Sequence, residues 1–116
     1  MLEKIQIKAV RVELTDDLKS YVHKKVGKLD RFMSSHMTKS AQAVVTLTTA
    51  KGKLQKPTCE IVLQVPDAKL TAKESHDDMY GAIDMAESKV ERQLRKYKTA
   101  HRVQRGRKAI RRLLRR

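Results

Sequence analysis

The chain has 116 residues and carries 27 Lys and Arg against 13 Asp and Glu, which gives a formal net charge of +14 at pH 7. The chain has one cysteine and four glycines, and no apolar run approaches the roughly 20 residues of a membrane-spanning helix. These features exclude a disulfide-stapled, collagen-like or membrane-spanning protein. The length favours a single domain, and the positive excess favours a polyanionic partner, either nucleic acid or an anionic membrane surface.

The N-terminal third of the chain predicts a strand followed by a helix. Apolar and polar residues alternate over 4–8, which is typical of a half-buried strand. Thr15 is a predicted N-cap, and two aspartates follow it in the first turn, where carboxylates suit the helix dipole. Apolar residues at helical spacing then predict a helix over about 16–33. These residues are Leu18, Val22, Val26, Leu29 and Met33.

Three strands are predicted next. Apolar residues alternate over 43–48, 59–65 and 69–73, and turn residues separate these segments. Gly52 lies in the first connection, and the Pro-Asp pair at 66–67 marks the second. One face of the resulting sheet is apolar. The other face is largely polar, so we expect water to reach it.

A second amphipathic helix is predicted over about 77–98. Ser75 and Asp78 have the spacing of a capping box at its start. The predicted order is therefore β-α-β-β-β-α. An α+β fold with two helices packed on one face of a four-stranded sheet is the economical arrangement. The apolar stripe of this helix is formed by Met79, Ile83, Ala86, Val90, Leu94 and Tyr97.

The end of the chain is far more basic than the rest. Residues 99–116 hold eight Lys or Arg and no acidic residue. Since like charges repel, we predict a folded domain over 1–98 and a flexible basic tail over 99–116. The tail residues expected to contact RNA are Arg102, Arg105, Arg107, Lys108, Arg111 and Arg112.

Three further sets of basic residues lie within the predicted domain. Two of them follow the predicted helices beside the apolar stripes, and the third lies in the loop between the second and third strands. A solvated face is the ordinary explanation of a charge run. Clustering like charges on a helix is slightly destabilising, however, which favours a role in gripping phosphates. The sets are Lys24, Lys28 and Arg31; Lys89, Arg92 and Lys96; and Lys51, Lys53 and Lys56.

The aromatic residues narrow the class of nucleic acid. The chain has three Tyr, one Phe and no Trp, and all four fall on or beside the apolar stripes. Proteins that bind single strands usually stack bases on exposed aromatic rings. Structured RNA, held through its phosphates and its shape, is therefore the better fit.

No catalytic or metal site is expected. Asp77 and Asp78 are explained by capping of the second helix, and the four histidines lack metal-ligand spacing. His76 precedes that helix and is interpreted as a cap or an RNA contact. Cys59 alternates with apolar residues, which favours a buried, inert thiol. We therefore predict a protein that is not an enzyme and that needs no cofactor and no small-molecule substrate.

Several segments resemble one known family. HDDMYGAID at 76–84, followed by KVERQL at 89–94, is similar to the bacterial ribosome hibernation-promoting factors, a family that includes the ribosome-associated inhibitor. ELT at 13–15 and KLDRF at 28–32 also resemble that family. The combination of the two segments in the second helix is fairly specific, and the likeness extends over about residues 5–97.

The resemblance implies a fold similar to double-stranded RNA-binding domains and a place in the decoding channel of the small ribosomal subunit. Family members overlap the mRNA and the A- and P-site tRNA positions there, and they silence and protect idle ribosomes in stationary phase or stress. The expected partners are 16S rRNA, the 30S subunit and the 70S ribosome in the cytoplasm. The basic residues of the two predicted helices are those that the resemblance places on rRNA.

The chain resembles the short forms of the family, which lack a C-terminal dimerisation domain, so a monomer is expected away from the ribosome. Its basic tail leaves open whether it promotes or blocks pairing of ribosomes. The tail is expected to run along rRNA in the mRNA path, or else to act as a nonspecific basic arm. A structural ribosomal protein or general RNA chaperone is the alternative function. Membrane attachment through the tail ranks lower, since the tail offers little apolar surface.

Overall fold

The computed structural model describes residues 2–49 and 56–114, with side chains up to Tyr97. Four strands and four helical segments are present in this part of the chain. In order they are β1 (Ile5–Val10), α1 (Asp16–Gly27), a 3₁₀ helix (Lys28–Phe32), α2 (Ser35–Ser40), β2 (Gln42–Thr48), β3 (Thr58–Val65), β4 (Ala68–Ser75) and α3 (Met79–Leu114).

The four strands form one mixed sheet in the order β1-β2-β3-β4. β1 pairs parallel with β2, and the other neighbours are antiparallel. A parallel neighbour needs a crossover connection, which the segment containing α1 supplies. The predicted α+β fold, with two long helices on one face of a four-stranded sheet, is confirmed.

The core lies between the sheet and the two long helices. Val45, Ile61 and Ala72 form one row across β2, β3 and β4 and are buried. Val22 of α1 and Val90 of α3 belong to the same core cluster and are fully buried. The strand residues between the buried ones are partly or fully exposed, so the second face of the sheet is the polar one that the sequence predicts.

The prediction of one continuous helix over about 16–33 is wrong, because the structure has two segments there. Thr15 caps α1 as predicted, and its hydroxyl accepts a hydrogen bond from the Leu18 amide at 3.2 Å. The α-helix then ends at Gly27, a residue type that weakens helices, and tightens into the 3₁₀ helix that ends at Phe32. The short helix α2 was not predicted. Ser34 caps α2 through the Met37 amide at 3.1 Å, but six mostly polar residues give no apolar stripe.

The bounds of the last helix also differ from the prediction. Ser75 lies in β4 and is not part of a capping box. Asp78 is the cap, since its carboxylate accepts a hydrogen bond from the Gly81 amide at 2.8 Å. The backbone of α3 continues to Leu114, so the predicted end near residue 98 is wrong. The division into a domain over 1–98 and a flexible tail over 99–116 stays a prediction, because the tail side chains lie outside those described.

Candidate nucleic-acid interface

The two long helices pack side by side in the same direction. Near their starts, the rings of Tyr21 and Tyr80 meet edge to face with centroids 4.8 Å apart. Farther along, Phe32 at the end of the 3₁₀ helix lies beside Arg95 of α3, with the guanidinium carbon 4.8 Å from the ring centroid. Parallel packing places both helix starts at one end of the pair. The end of α1 and the middle of α3 therefore lie together at the other end.

The end of the pair at the helix starts is acidic, and Asp84 there bonds to groups of α1. The Tyr21 hydroxyl donates to Asp84 Oδ1 at 2.5 Å, and Lys25 Nζ lies 3.5 Å from the same oxygen. This hydrogen bond, together with burial and the charge of Asp84, raises the pKa of Tyr21 to about 12. We call this region the acidic end. Its carboxylates are Asp16, Asp17, Asp77, Asp78 and Asp84.

The opposite end of the pair is basic and exposed. It combines residues from the 3₁₀ helix with residues from the middle of α3. Cations near the C-terminal end of a helix interact favourably with its dipole, which supports this placement for the α1 side. We call this region the basic end. It consists of Lys28, Arg31, Arg92, Arg95 and Lys96, all of them exposed, and Lys24 lies exposed one turn earlier on α1.

An acidic flank of α3 faces α1 along the groove between the helices. Asp84 contacts Tyr21, and Glu91 Oε1 lies 2.8 Å from the Arg95 guanidinium. Glu87 lies between these two residues and is only partly exposed. Burial raises the pKa of Glu87, and the charge of Glu91 acts in the same direction. A negative flank therefore lies within a strongly positive surface.

Of the predicted residues of α3, Lys89 is placed apart from the first helix. Lys89 Nζ lies 2.6 Å from Glu74 Oε1, and Gln93 donates to the Thr71 carbonyl at 2.9 Å. Both contacts are to β4, so this flank of α3 faces away from α1. Arg92 and Lys96 are exposed and make no ion pair within the described residues. Lys89 is accordingly the member of this set whose charge is already matched.

Of the three basic residues predicted in the loop between the second and third strands, the structure describes only Lys56. Its ammonium lies 3.1 Å from Asp77 Oδ1 and lowers the pKa of that carboxyl. The neighbouring backbone is also fixed, since the His76 amide donates to the Pro57 carbonyl at 3.1 Å. Lys56 thus ties the strand connection to the start of α3. Lys51 and Lys53 lie outside the described residues.

The predicted tail contacts lie beyond the last described side chain. Arg102, Arg105, Arg107, Lys108, Arg111 and Arg112 follow Tyr97 on the backbone of α3, and their role stays a prediction.

Arg95 of the basic end and Phe32 beside it were not predicted as part of the site. Phe32 was assigned to the apolar stripe, but its half-buried ring has the guanidinium carbons of Arg31 at 5.6 Å and of Arg95 at 4.8 Å. The signal available in the sequence was the Glu91 to Arg95 spacing, which allows an ion pair between successive turns. Such a pair does not reveal that a ring from another element lies beside it.

Two other predicted residues can now be placed. Cys59 is fully buried, and burial raises the pKa of its thiol to about 12, so the predicted buried cysteine is confirmed. The ring of His76 packs so closely on Gly81 that a Cβ at that position would collide with Nδ1. His76 therefore packs against the first turn of α3, and the cap itself is Asp78.

Metal-binding and membrane-spanning features are absent from residues 2–49 and 56–114. Within them, no three His, Cys, Asp or Glu side chains gather as a metal site would require. Within the same residues, no helix has the length and apolar character to cross a membrane.

A family model described as sigma 54 modulation protein / S30EA ribosomal protein matches residues 5–102. The chain belongs to this family. Two relatives named ribosome hibernation promotion factor are each 36% identical to it, from Lactococcus lactis over 96 residues and from Deinococcus radiodurans over 100 residues. These alignments cover 83% and 86% of this chain but only 50% and 51% of the relatives. The chain thus spans about half the length of these S30EA relatives.

Two solved structures superimpose on the chain. The N-terminal domain of Protein Y from Thermus thermophilus matches with a TM-score of 0.70 at 30% identity, covering 82% of this chain and 99% of that domain. A ribosomal subunit interface protein from Coxiella burnetii matches with a TM-score of 0.68 at 24% identity, covering 84% and 99%. The second similarity concerns the fold alone.

Proposed function

We propose that this chain binds the small ribosomal subunit through 16S rRNA and holds ribosomes idle under stress or in stationary phase. It occupies the region of the mRNA and the A- and P-site tRNAs, on free 30S subunits and on 70S ribosomes. Relatives at 33–36% identity bear the name ribosome hibernation promotion factor, which supports this role. The observation that carries the proposal is the basic end, where exposed cations of the 3₁₀ helix and of the middle of α3 lie at the same end of the helix pair.

The mechanism is electrostatic and depends on which cations are available. The main phosphate contacts come from five exposed cations: Lys24 of α1, Lys28 and Arg31 of the 3₁₀ helix, and Arg92 and Lys96 of α3. Lys89 and Lys56 are already paired with carboxylates, so their removal changes affinity less. Lys51, Lys53 and the basic residues predicted in the tail, Lys108 included, supply further contacts.

Salt dependence tests this mechanism. Neutralising phosphates releases counterions, so affinity for 30S subunits falls steeply as salt rises. For about six contacts, the loss between 50 and 200 mM salt is on the order of a thousandfold on the DNA calibration. An affinity that hardly changes over that range contradicts a phosphate-based interface.

Sucrose gradients distinguish this function from a structural ribosomal protein or a general RNA chaperone. A structural component is present once per ribosome in growing cells, whereas a hibernation factor accumulates on ribosomes when growth stops. Profiles of stationary-phase cells with and without the protein locate it on the 30S, 70S or 100S peak. Equal amounts per ribosome in both growth phases favour the structural alternative, and absence from every ribosomal peak overturns the proposal.

A further inference from the structure

Two guanidinium groups from different elements converge on one aromatic ring at the basic end. Arg31 belongs to the 3₁₀ helix and Arg95 to α3, and their guanidinium carbons lie 5.6 Å and 4.8 Å from the centroid of Phe32. Both distances are within the range of a cation–π interaction. The ring therefore brings together two cations that lie far apart along the chain.

Each guanidinium is also held by a second contact. Arg31 Nε donates to the Lys28 carbonyl at 3.3 Å, and the Arg95 guanidinium donates to Glu91 at 2.8 Å. A guanidinium has five N–H donors in a fixed plane, whereas an ammonium is a compact point charge, so a bond to a carboxylate orients Arg95 more than it orients Lys89. The Arg95 side chain keeps 61% of its surface exposed, so a ligand can reach it.

We infer that Arg31 and Arg95 form a paired guanidinium site for the phosphates of one short segment of RNA backbone, with Phe32 as the residue that positions both. This inference rests on the proposed function, and it adds Arg95 and Phe32 to the interface. Planar guanidiniums match phosphate oxygens through two parallel hydrogen bonds, and groups that are already oriented lose less entropy on binding. Lys25 also lies over a ring, 5.7 Å from the centroid of Tyr21, but this contact is a single cation at the acidic end.

The site is tested by substitution of the two arginines and by a double-mutant cycle. Arg31→Gln, Arg95→Gln and the double variant are compared with the unchanged chain for binding to purified 30S subunits at several salt concentrations. Each single change is expected to weaken binding roughly tenfold, the loss typical of a charged hydrogen-bonding group. Each is also expected to reduce the salt slope by roughly 0.7–0.9 for every phosphate that the variant no longer binds. If both arginines hold the same backbone segment, the double variant loses less than the product of the single losses.

Matched variants separate binding from a purely structural role. Lys19→Gln removes the same charge from an exposed position on α1 near the acidic end, and it is expected to leave affinity and salt slope almost unchanged. Phe32→Leu keeps an apolar side chain but removes the ring, so it should weaken binding several-fold with little change in salt slope. Arg95→Lys should retain the slope and lose part of the affinity. Thermal unfolding of every variant verifies that the fold is intact.

The experiment separates failure of the paired site from failure of the proposed function. If the unchanged chain binds 30S subunits and Arg95→Gln binds equally well with the same slope, the paired site is wrong and the proposed function stands. Losses that simply multiply in the double variant also overturn the pairing, since the arginines then act on separate segments. If the unchanged chain does not bind 30S subunits, the proposed function fails. The same variants are then measured on a short RNA duplex, where equal salt slopes overturn the site as well.

Discussion

The two ends of the helix pair differ in how their charges are used. At the acidic end, Asp84 bonds to both Tyr21 and Lys25, and Asp78 caps α3, so these polar groups are satisfied within the protein. At the basic end, Lys28, Arg92 and Lys96 are exposed and make no ion pair with any other described residue. The first arrangement stabilises the fold, whereas the second leaves positive charge for a partner. We therefore expect substitutions at the two ends to affect different measurements.

Helix direction explains the acidic end and the α1 side of the basic end. Carboxylates are favourable at helix N-termini and cations at C-termini, each by roughly 0.3–1 kcal/mol. Because α1 and α3 start at the same end, both starts contribute carboxylates there. An antiparallel pair would place one acidic start beside the basic residues of the other helix. The parallel direction of the two helices thus keeps the acidic end apart from the basic end.

Charge reversal on the first helix should produce the largest effect on binding. Changing Lys24, Lys28 and Arg31 together to Glu removes three phosphate contacts and adds repulsion. We expect ribosome affinity to fall by roughly a thousandfold or more, at about tenfold per charged contact. Sedimentation with 30S subunits measures the affinity, and thermal unfolding measures stability, which should change little because all three side chains are exposed.

A core substitution is the control for that experiment. Leu29 lies between two of these positions and is fully buried. Leu29→Ala should therefore destabilise the fold by about 2–5 kcal/mol, measured by denaturant unfolding. A charge-reversed triple variant that stays folded and keeps full affinity would show that these cations are merely solvated.

Removal of the tail should have the next largest effect. A chain ending at Tyr97 lacks Lys98 and the eight basic residues of 99–116. We expect it still to reach the decoding region, to compete less well with mRNA, and to show a salt slope smaller by roughly 0.7–0.9 for each phosphate that the tail would have neutralised. Competition between the truncated protein and a labelled mRNA on 30S subunits measures this effect. Undiminished mRNA displacement would mean that the tail does not block the channel.

Most of the fold could be predicted from the sequence, because buried apolar residues recur at the regular spacing of a strand or of a helix. The alternation at Val45 and Ile61 and the helical spacing at Val22 and Val90 all mark buried positions. The end of α1 at Gly27 could not be placed in this way, since the apolar spacing continues through the 3₁₀ helix. Local periodicity indicates which residues are buried but not where the hydrogen-bond pattern changes.

The candidate site was predictable only within each helix. A helical wheel identified exposed cations such as Lys28 and Arg92, which the structure leaves exposed. It could not show that Lys89 pairs with Glu74 on β4, or that Arg95 lies beside Phe32. Both contacts join residues from different elements, and a wheel contains no information about neighbouring elements. The packing of α3 against both the first helix and β4 therefore decides which cations remain available.

At the acidic end, Tyr21→Phe should reduce stability without reducing affinity for ribosomes. The substitution removes the hydrogen bond to Asp84, and the expected loss is about 1–2 kcal/mol in the free energy of unfolding near pH 7. The pKa of Tyr21 is raised from 10.0 to about 12 in the fold, so this contribution is fully present below pH 10. It is lost as the pH rises toward 12.

Denaturant unfolding of both chains at pH 7 and above pH 11 tests this prediction. The stability difference between Tyr21→Phe and the unchanged chain should be largest at pH 7 and should shrink at alkaline pH. A difference that stays constant with pH would mean that the phenol acts through packing alone. A large loss of ribosome affinity would contradict the separation of the two ends.

The smallest expected effect lies in the groove between the two ends, where Glu87 places a partly buried negative charge near Arg31. Glu87→Gln keeps the shape and removes the charge, so it should tighten binding to 30S subunits roughly two- to fivefold, the size of one partly exposed charge interaction. Burial raises the pKa of Glu87 above its ordinary 4.5, so its contribution to stability is present below that value and is lost as the pH rises through the raised pKa. The glutamine variant should therefore be slightly more stable than the unchanged chain at pH 7, and the two should converge near pH 4.

Glu13→Gln, at an exposed position before α1, removes the same charge and should change neither the pH dependence nor the affinity. Equal gains from both substitutions would show that only net charge matters and that the acidic flank has no local effect.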